Sequence, residues 1–359
     1  MIFDYRELES FSQEVFISLG FGAEDATTAS KVLVSSDMRG IMSHGMARLD
    51  GYVRLTEEGR INPKPNMQLI RDKGCNGTLD ADKAVGLVSA QKAIKIAIDK
   101  CNKYGSGWVA VQNSNHFGIA AQHALQALPK NYIGFAMTNA SPLVSVANGA
   151  DRVLGTNPIC VAIPTNHKFP FVLDMATSAV SNGKIEIADR AGKSLDGEWI
   201  NDKNGLNSLN PKDMSLGGSL LPLGGKVNNS GYKGYGLGAW VDIFCGVLSG
   251  ANYGQYVPPF VSYLQPLAHL PGKGIGHFVG VWDIDGFRDI EEFKNEMDAW
   301  IKHVKGTKAV EGKDILIPGE KEYYANEHSM KNGVFIEDSV FDKLKSMAKK
   351  FKINEPNAK

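Results

Sequence analysis

Apolar residues along this chain recur at two different periods, and the change of period divides it. Phe11, Val15, Phe16 and Leu19 keep helical spacing and stop at Gly20-Phe21-Gly22. Glu24 and Asp25 then open a second helix, at the end where negative charge suits the dipole, and Ala26, Ala29, Val32 and Leu33 carry its stripe to Ser36. A third helix over Arg48 to Glu58 places Arg48 and Tyr52 on one face, and Gly59 with Asn62-Pro63-Lys64-Pro65 ends it. From Cys75 onward the texture alternates. Leu87, Ala90, Ile94, Ala97, Ile98 and Cys101 form a helical stripe closed by Gly105. Trp108 to Val111, Tyr132 to Met137, Ile159 to Ile163 and Phe171 to Leu173 are short apolar runs bounded by Gly, Pro or Asn, the pattern of buried strands, and Gly276 to Ile284 alternates like another. Ala121 to Leu128 and Lys233 to Leu248 read as helices. Asp196 to Met214 and Gly224 to Tyr232 read as loops, the second of them mobile. Helical periodicity returns at the end, in the stripe from Ile290 to Val304 and again from Val340 to Phe351.

This predicts a mixed α/β protein in two parts: a helical unit from residues 1–72 with 288–359, and an α/β unit from 73–287. A length of 359 residues suits two such parts and a sizeable core. Lys plus Arg and Asp plus Glu both total 39, and no basic stripe occurs, so nucleic acid is not an expected partner. Cys75, Cys101, Cys160 and Cys245 are scattered, as in a reduced cytoplasmic protein. The first residues lack an apolar signal core, and no stretch of about eighteen apolar residues predicts a membrane span.

Candidate chemistry gathers first at Asn113-Ser114-Asn115-His116-Phe117-Gly118-Ile119-Ala120, a strand-to-helix connection. Asn and Ser there could equally cap the following helix. A second polar loop, Arg39-Gly40-Ile41-Met42-Ser43-His44-Gly45, places Arg48 four residues beyond its histidine. Two histidines in glycine-flanked loops suit proton transfer near neutral pH, and Arg48 could clamp a carboxylate with two hydrogen bonds. Thr156 in the Gly155-to-Pro158 turn, and Asp174 at the end of a buried strand, offer further polar contacts or only a turn and a helix cap. Gly234-Tyr235-Gly236-Leu237-Gly238-Ala239 matches a dinucleotide fingerprint in spacing but follows Asn228-Asn229-Ser230-Gly231 instead of a strand. Metal-ligand spacing is absent, and no nucleophile elbow occurs.

Taken together, Arg39-Gly40-Ile41, Ser43-His44-Gly45, Arg48-Leu49, Asn113 to Gly118, Gly155 to Pro158, Leu173 to Ser178, Leu221 to Gly225, Lys233 to Leu237, Leu248 to Ala251 and Pro318-Gly319-Glu320 follow one family's order. The chain resembles the type-2 malate/L-lactate dehydrogenase family, which also holds ureidoglycolate, sulfolactate and diketogulonate enzymes and piperideine-carboxylate reductases. The resemblance implies a nicotinamide-dependent oxidoreductase on a non-Rossmann cofactor fold, usually a homodimer with its site between domains. It implies NAD, with NADP left open, and a small anionic 2-hydroxy or 2-oxo acid as substrate, malate or L-lactate first. His116 matches a position assigned as acid/base in some members; Ser43 and His44 match a relay and proton donor in others, and His44 is preferred. Arg48 and Thr156 match substrate contacts. His116, Phe117, Gly118, Ile119 and Ala120, then Asp174, Met175 and Ala176, then Lys233-Gly234 and Pro318-Gly319-Glu320, match cofactor contacts. Where the reductase branch carries a relay aspartate this chain has Lys184, as the dehydrogenase branches do, which disfavours reduction of a cyclic imine. A reductase of a cyclic imine or of a sugar-derived 2-oxo acid, a ureidoglycolate or sulfolactate dehydrogenase, and a non-catalytic binding protein on the same scaffold are the other readings.

Overall fold

A computed structural model describes residues 1–359. Its helices are α1 (Tyr5–Ser18), α2 (Ala23–Met38), α3 (Leu49–Glu57), α4 (Gly86–Tyr104), α5 (Ala120–Ala124), α6 (Asn182–Arg190), α7 (Gly231–Asp242), α8 (Ile290–Lys305), α9 (Glu320–Asn332) and α10 (Asp338–Phe351). The long apolar stripes of the sequence account for most of them. Its main sheet has seven strands: β1 (Gln68–Lys73), β2 (Asn76–Asp80), β3 (Ser106–Ser114), β4 (Tyr132–Thr138), β5 (Ile159–Ile163), β6 (Phe171–Met175) and β7 (Ile275–Asp283). They lie in the order β1-β2-β3-β7-β4-β5-β6. Only β2 and β3 run parallel, joined by α4; every other neighbouring pair is antiparallel. The late strand β7 inserts at the centre, so Val279 and Val281 lie buried with Ile94, Val109 and Val111 under α4.

The helical stripes at the chain's two ends meet. Phe11, Phe16, Leu33 and Tyr52 share one core with Leu344 and Met347 of α10, and Ile2–Phe3 pairs antiparallel with Val334–Phe335. Helix α8 takes another place. Trp300 meets Phe171 of the edge strand β6 at 6.0 Å, and Ile301 is buried with Phe169 and Ile317. Its apolar stripe packs beside the edge strand, whose Val172 N–H is paired with the Pro318 carbonyl at 2.9 Å.

The structure corrects several expectations. The stretch expected to be loop from Asp196 to Met214 contributes to a second, five-stranded sheet, where Ile200–Asn201 pairs with Asn207–Ser208 on one side and Ser219–Leu220 on the other. Strands of two residues leave no readable alternation. The helix expected over Ala121 to Leu128 ends early at Ala124 and tightens into a 3-10 segment over Leu125–Lys130 containing Pro129, which has no N–H to give a longer helix. Helix α7 starts inside the expected mobile loop, at Gly231, and runs into a π turn over Ile243–Val247. No helix is long and apolar enough to cross a membrane.

Candidate active site

The His116 loop leaves the end of β3 under heavy restraint. Asn113 takes a left-handed φ of 58°, and its side-chain amide donates to Asp80 at 2.8 Å. Asn115 donates to the carbonyls of Lys83 and Ala84 at 3.0 and 3.1 Å. Neither caps α5, which begins after Ile119 without a side-chain cap. Phe117 turns into the core between the rings of His123 and His277, with centroids at 4.8 and 4.9 Å. Gly118 has φ 80°, and a Cβ there would lie 2.9 Å from Leu87. These contacts leave His116 half-buried and facing the helical side.

Tyr52 of α3 reaches across to it, its hydroxyl 2.7 Å from His116 Nδ1. The Gly118 N–H approaches the same nitrogen at 3.4 Å. Burial pushes the Tyr52 phenol well above its usual range, so it stays protonated. Two donors converging on Nδ1 place the neutral ring's own proton on Nε2.

The second histidine sits between two short 3-10 turns, Met42–His44 and Met46–Arg48. Its Nδ1 lies 2.8 Å from Ser43 Oγ. Arg48 Nε donates to the Ser43 carbonyl at 2.6 Å, and its Nη2 stands 3.8 Å from Glu186. The two imidazoles lie nearly parallel, centroids 5.8 Å apart. Burial first, then Arg48, lowers the His44 pKa to about 4. Burial, with His44, Arg48 and His277 adding repulsion, holds His116 well below the usual histidine range. Both rings are therefore neutral at physiological pH.

They line one cleft of about 290 Å³ with Arg48, Thr156, Asp174, Met175, Ala176 and Phe260. Asn157 fixes the Thr156 turn by accepting from the Ala140 N–H at 3.1 Å and donating to the Gly238 carbonyl at 2.9 Å. Asp174 accepts from the Ala121 N–H at the start of α5 at 2.8 Å, and burial pushes its carboxyl up to about 6. A neighbouring pocket of about 200 Å³ shares Ile41 and Asp174 with the cleft and adds Arg39, Pro318, Gly319 and Glu322. On the other side, Ser43 and Arg48 also face a wider cavity of about 500 Å³.

Of the residues picked from sequence, Ser43, His44, Arg48, His116, Gly118, Ile119, Ala120, Thr156, Asp174, Met175 and Ala176 meet in that cleft, and Pro318 and Gly319 in the pocket beside it. The others lie elsewhere. Phe117 is a core residue. Lys184 stacks its ammonium 4.0 Å above the Trp199 ring and faces the wide cavity, not the histidines. Glu320 turns away to bind Lys305 at 2.5 Å and the Ile317 N–H. Lys233 is exposed, and Gly234 packs on the Leu223 backbone, so neither lines the cleft or the pocket beside it. The sequence left Arg39, Asp37, Phe260 and the Tyr52–His116 bond unassigned. Tyr52 shared a predicted helix face with Arg48, but its partner lies 64 residues away.

Residues 3–345 match the family model described as malate/L-lactate dehydrogenase. Among curated relatives, a malate dehydrogenase of Pyrococcus abyssi is 40% identical over 96% of this chain and 93% of its own length. An L-sulfolactate dehydrogenase of Methanocaldococcus jannaschii is 33% identical over 95% of this chain and 94% of its own. Among solved structures, the malate dehydrogenase of Entamoeba histolytica superposes with a TM-score of 0.92 at 30% identity, covering 99% of both chains. That of Pyrococcus horikoshii gives 0.89 at 37% identity, covering 99% of this chain and 97% of its own. With the two-histidine cleft, these matches make the chain a member of the malate/L-lactate dehydrogenase family and an enzyme that acts on small hydroxy acids.

Proposed function

We propose that this enzyme oxidises malate or L-lactate reversibly to the 2-oxo acid, with NAD as partner and His44 as the proton-transfer group. One observation carries this: two neutral imidazoles stacked 5.8 Å apart in a single cleft, with an arginine beside them. The residues fit a nicotinamide dinucleotide. Arg39 Nε is a buried donor with no partner, beside the pocket that continues the cleft, and Gly118, Ile119 and Ala120 give the cleft a wall of small and apolar residues. Asp174 and Glu322 outnumber Arg39 in that pocket, a balance that suits NAD better than a cofactor with an added phosphate. A bound nicotinamide supplies the hydride acceptor for oxidation and the donor for reduction.

Arg48 holds the substrate carboxylate through its two Nη nitrogens, the substrate replacing the 3.8 Å contact of Nη2 with Glu186. His116 offers Nε2–H to the substrate oxygen, and Tyr52 keeps that tautomer in place. His44 takes the hydroxyl proton on Nε2 and can pass the one on Nδ1 to Ser43, which releases its own hydroxyl proton to solvent through the wide cavity that it borders. The seven-stranded sheet, with its single parallel pair, supports a non-Rossmann cofactor unit, to which Gln68–Lys73 and α8 also attach, beside a helical unit built from α1, α2, α3 and α10. Leu237, Trp240, Ile243, Val247 and Leu248 leave an exposed apolar stripe along α7 and its π turn, which supports a homodimer, and four free cysteines support a cytoplasmic setting.

The test is the near-ultraviolet absorbance of reduced nicotinamide, followed with both cofactors and a panel of 2-oxo acids. Oxidation of NADH with oxaloacetate or pyruvate is expected. Cofactor binding without turnover on any acid would remove the proposal.

A further inference from the structure

The turn that carries Ser43, His44 and Arg48 is joined at Gly45, where φ is −92° and ψ −138°. The space around it excludes a side chain. A Cβ at Gly45 would lie 2.0 to 2.2 Å from three atoms of the Asp37 carboxylate. Asp37 itself is buried in the last turn of α2 and accepts from the Met46 N–H at 2.6 Å. No salt bridge engages it. A carboxylate is costly there twice over, since burial disfavours the charge and the C-terminal end of a helix repels it. Burial pushes its carboxyl up to about 7. Chain geometry alone gives no reason to place an acid in this spot.

We infer that Asp37 is a positioning residue of the reaction, which pulls the Met46 N–H across the gap at Gly45 and so sets Ser43, His44 and Arg48 against the cleft. The inference rests on the proposed role of His44. The carboxylate occupies the volume a side chain at position 45 would need, so the glycine and the acid form one device. The Gly45 backbone closes directly on the carboxyl group, and the chain turns there from one 3-10 segment into the next. Without the acceptor, the Met46 N–H has no partner and the two segments lose their fixed angle. The Ser43–His44 bond at 2.8 Å lies within the first segment, and the Arg48–Ser43 bond at 2.6 Å spans from the second to the first, so its geometry depends on the angle that Asp37 sets between them.

The test compares Asp37→Ala, Asp37→Asn and Gly45→Ala, each checked for folding by circular dichroism and thermal melting. Asp37→Ala should lower kcat by up to roughly 10²-fold, the scale of a catalytic group displaced by about an ångström. Asp37→Asn keeps a carbonyl acceptor and should recover to within about threefold of the parent, a neutral hydrogen bond standing for a charged one. Gly45→Ala should lose turnover on its own yet add little in the Asp37→Ala background, a non-additive cycle. In nitrogen-labelled histidine spectra, Asp37→Ala should shift the His44 ring signals and leave those of His116 in place. A folded Asp37→Ala enzyme with parental kcat, or an Asp37→Asn variant as slow as Asp37→Ala, overturns the inference. If the parent turns over no hydroxy acid, the functional proposal fails, and the histidine spectra alone then decide for or against the positioning.

Discussion

The two histidine loops face each other across one cleft but are held by opposite means. Around His116 every neighbour is tied to the α/β scaffold: Asn113 to Asp80, Asn115 to two carbonyls, and Phe117 between two buried imidazoles. His277 continues the network through Thr138 at 2.7 Å and Ser114 at 2.8 Å. The His44 turn has far less beneath it. It hangs between α2 and α3 on Asp37, and its serine borders open space. A rigid loop with Nδ1 already engaged suits a ring that orients and donates. A lightly held turn with a hydroxyl on the histidine's rear nitrogen suits a ring that must gain and lose a proton. Position in the scaffold thus divides the labour between two chemically identical side chains.

The sharpest way to break this comparison is to remove each ring in turn. His44→Ala should fold and lose roughly 10²- to 10⁴-fold in kcat, the scale of general acid–base help. His116→Ala should lose roughly 10²- to 10³-fold, as for one donor to a developing charge. If His44→Ala were the milder of the two, the roles would be reversed. Acid should find the rigid side next. Burial lowers His123 to about 4 and His277 to about 3, against 6.5 for an ordinary histidine. Their folded-state values are depressed, so the stabilisation is complete above pH 6.5. It falls as pH drops from 6.5 towards those values, because the unfolded chain takes up protons first. Each histidine's share should approach about a tenfold fall in the folding constant per pH unit below about pH 6. It is read from urea unfolding as the difference between the parent and a variant lacking that ring, which cancels the opposing protonation of Asp37 and Asp174. A variant lacking either ring with the same pH profile as the parent would mean that ring does not stay neutral in the fold.

Arg48→Lys should raise KM by about tenfold with a smaller change in kcat, since the fork that grips a carboxylate becomes a single point charge. An unchanged KM for the 2-oxo acid would take the carboxylate away from Arg48. Smallest is Tyr52→Phe. Losing one hydrogen bond to His116 should cost roughly threefold to tenfold in kcat, and it should leave a variant in which His116 is already absent almost unaffected. Equal losses in both backgrounds would separate Tyr52 from the His116 role.

Much of this arrangement was visible beforehand. The stripes of α1, α2, α4, α8 and α10 and the apolar runs of β3, β4, β5 and β7 read directly from period, because long amphipathic elements repeat their signal several times. Arg48, Ser43 and His44 were legible as a cluster since they are close in sequence and bracketed by glycines. The failures were of other kinds. The small sheet was missed because its strands are too short to show alternation. Helix α8 lies on β6, away from the N-terminal helices, since an apolar stripe does not name its partner. Lys184 and Glu320 were placed by motif near the reaction, yet Trp199 and Lys305 claim them.

By itself the sequence determined a mixed α/β protein with two histidine loops, an arginine one helical turn past the first, and a family order of motifs running almost end to end. Those follow from local spacing, which a linear string records. Only the tertiary structure decided that Tyr52 meets His116, that Asp37 fills the space beside Gly45, and that the two rings share one cleft. Each is a contact between separate elements, set by how the chain packs around its core, and that distance-dependent chemistry has no signature in the order of residues.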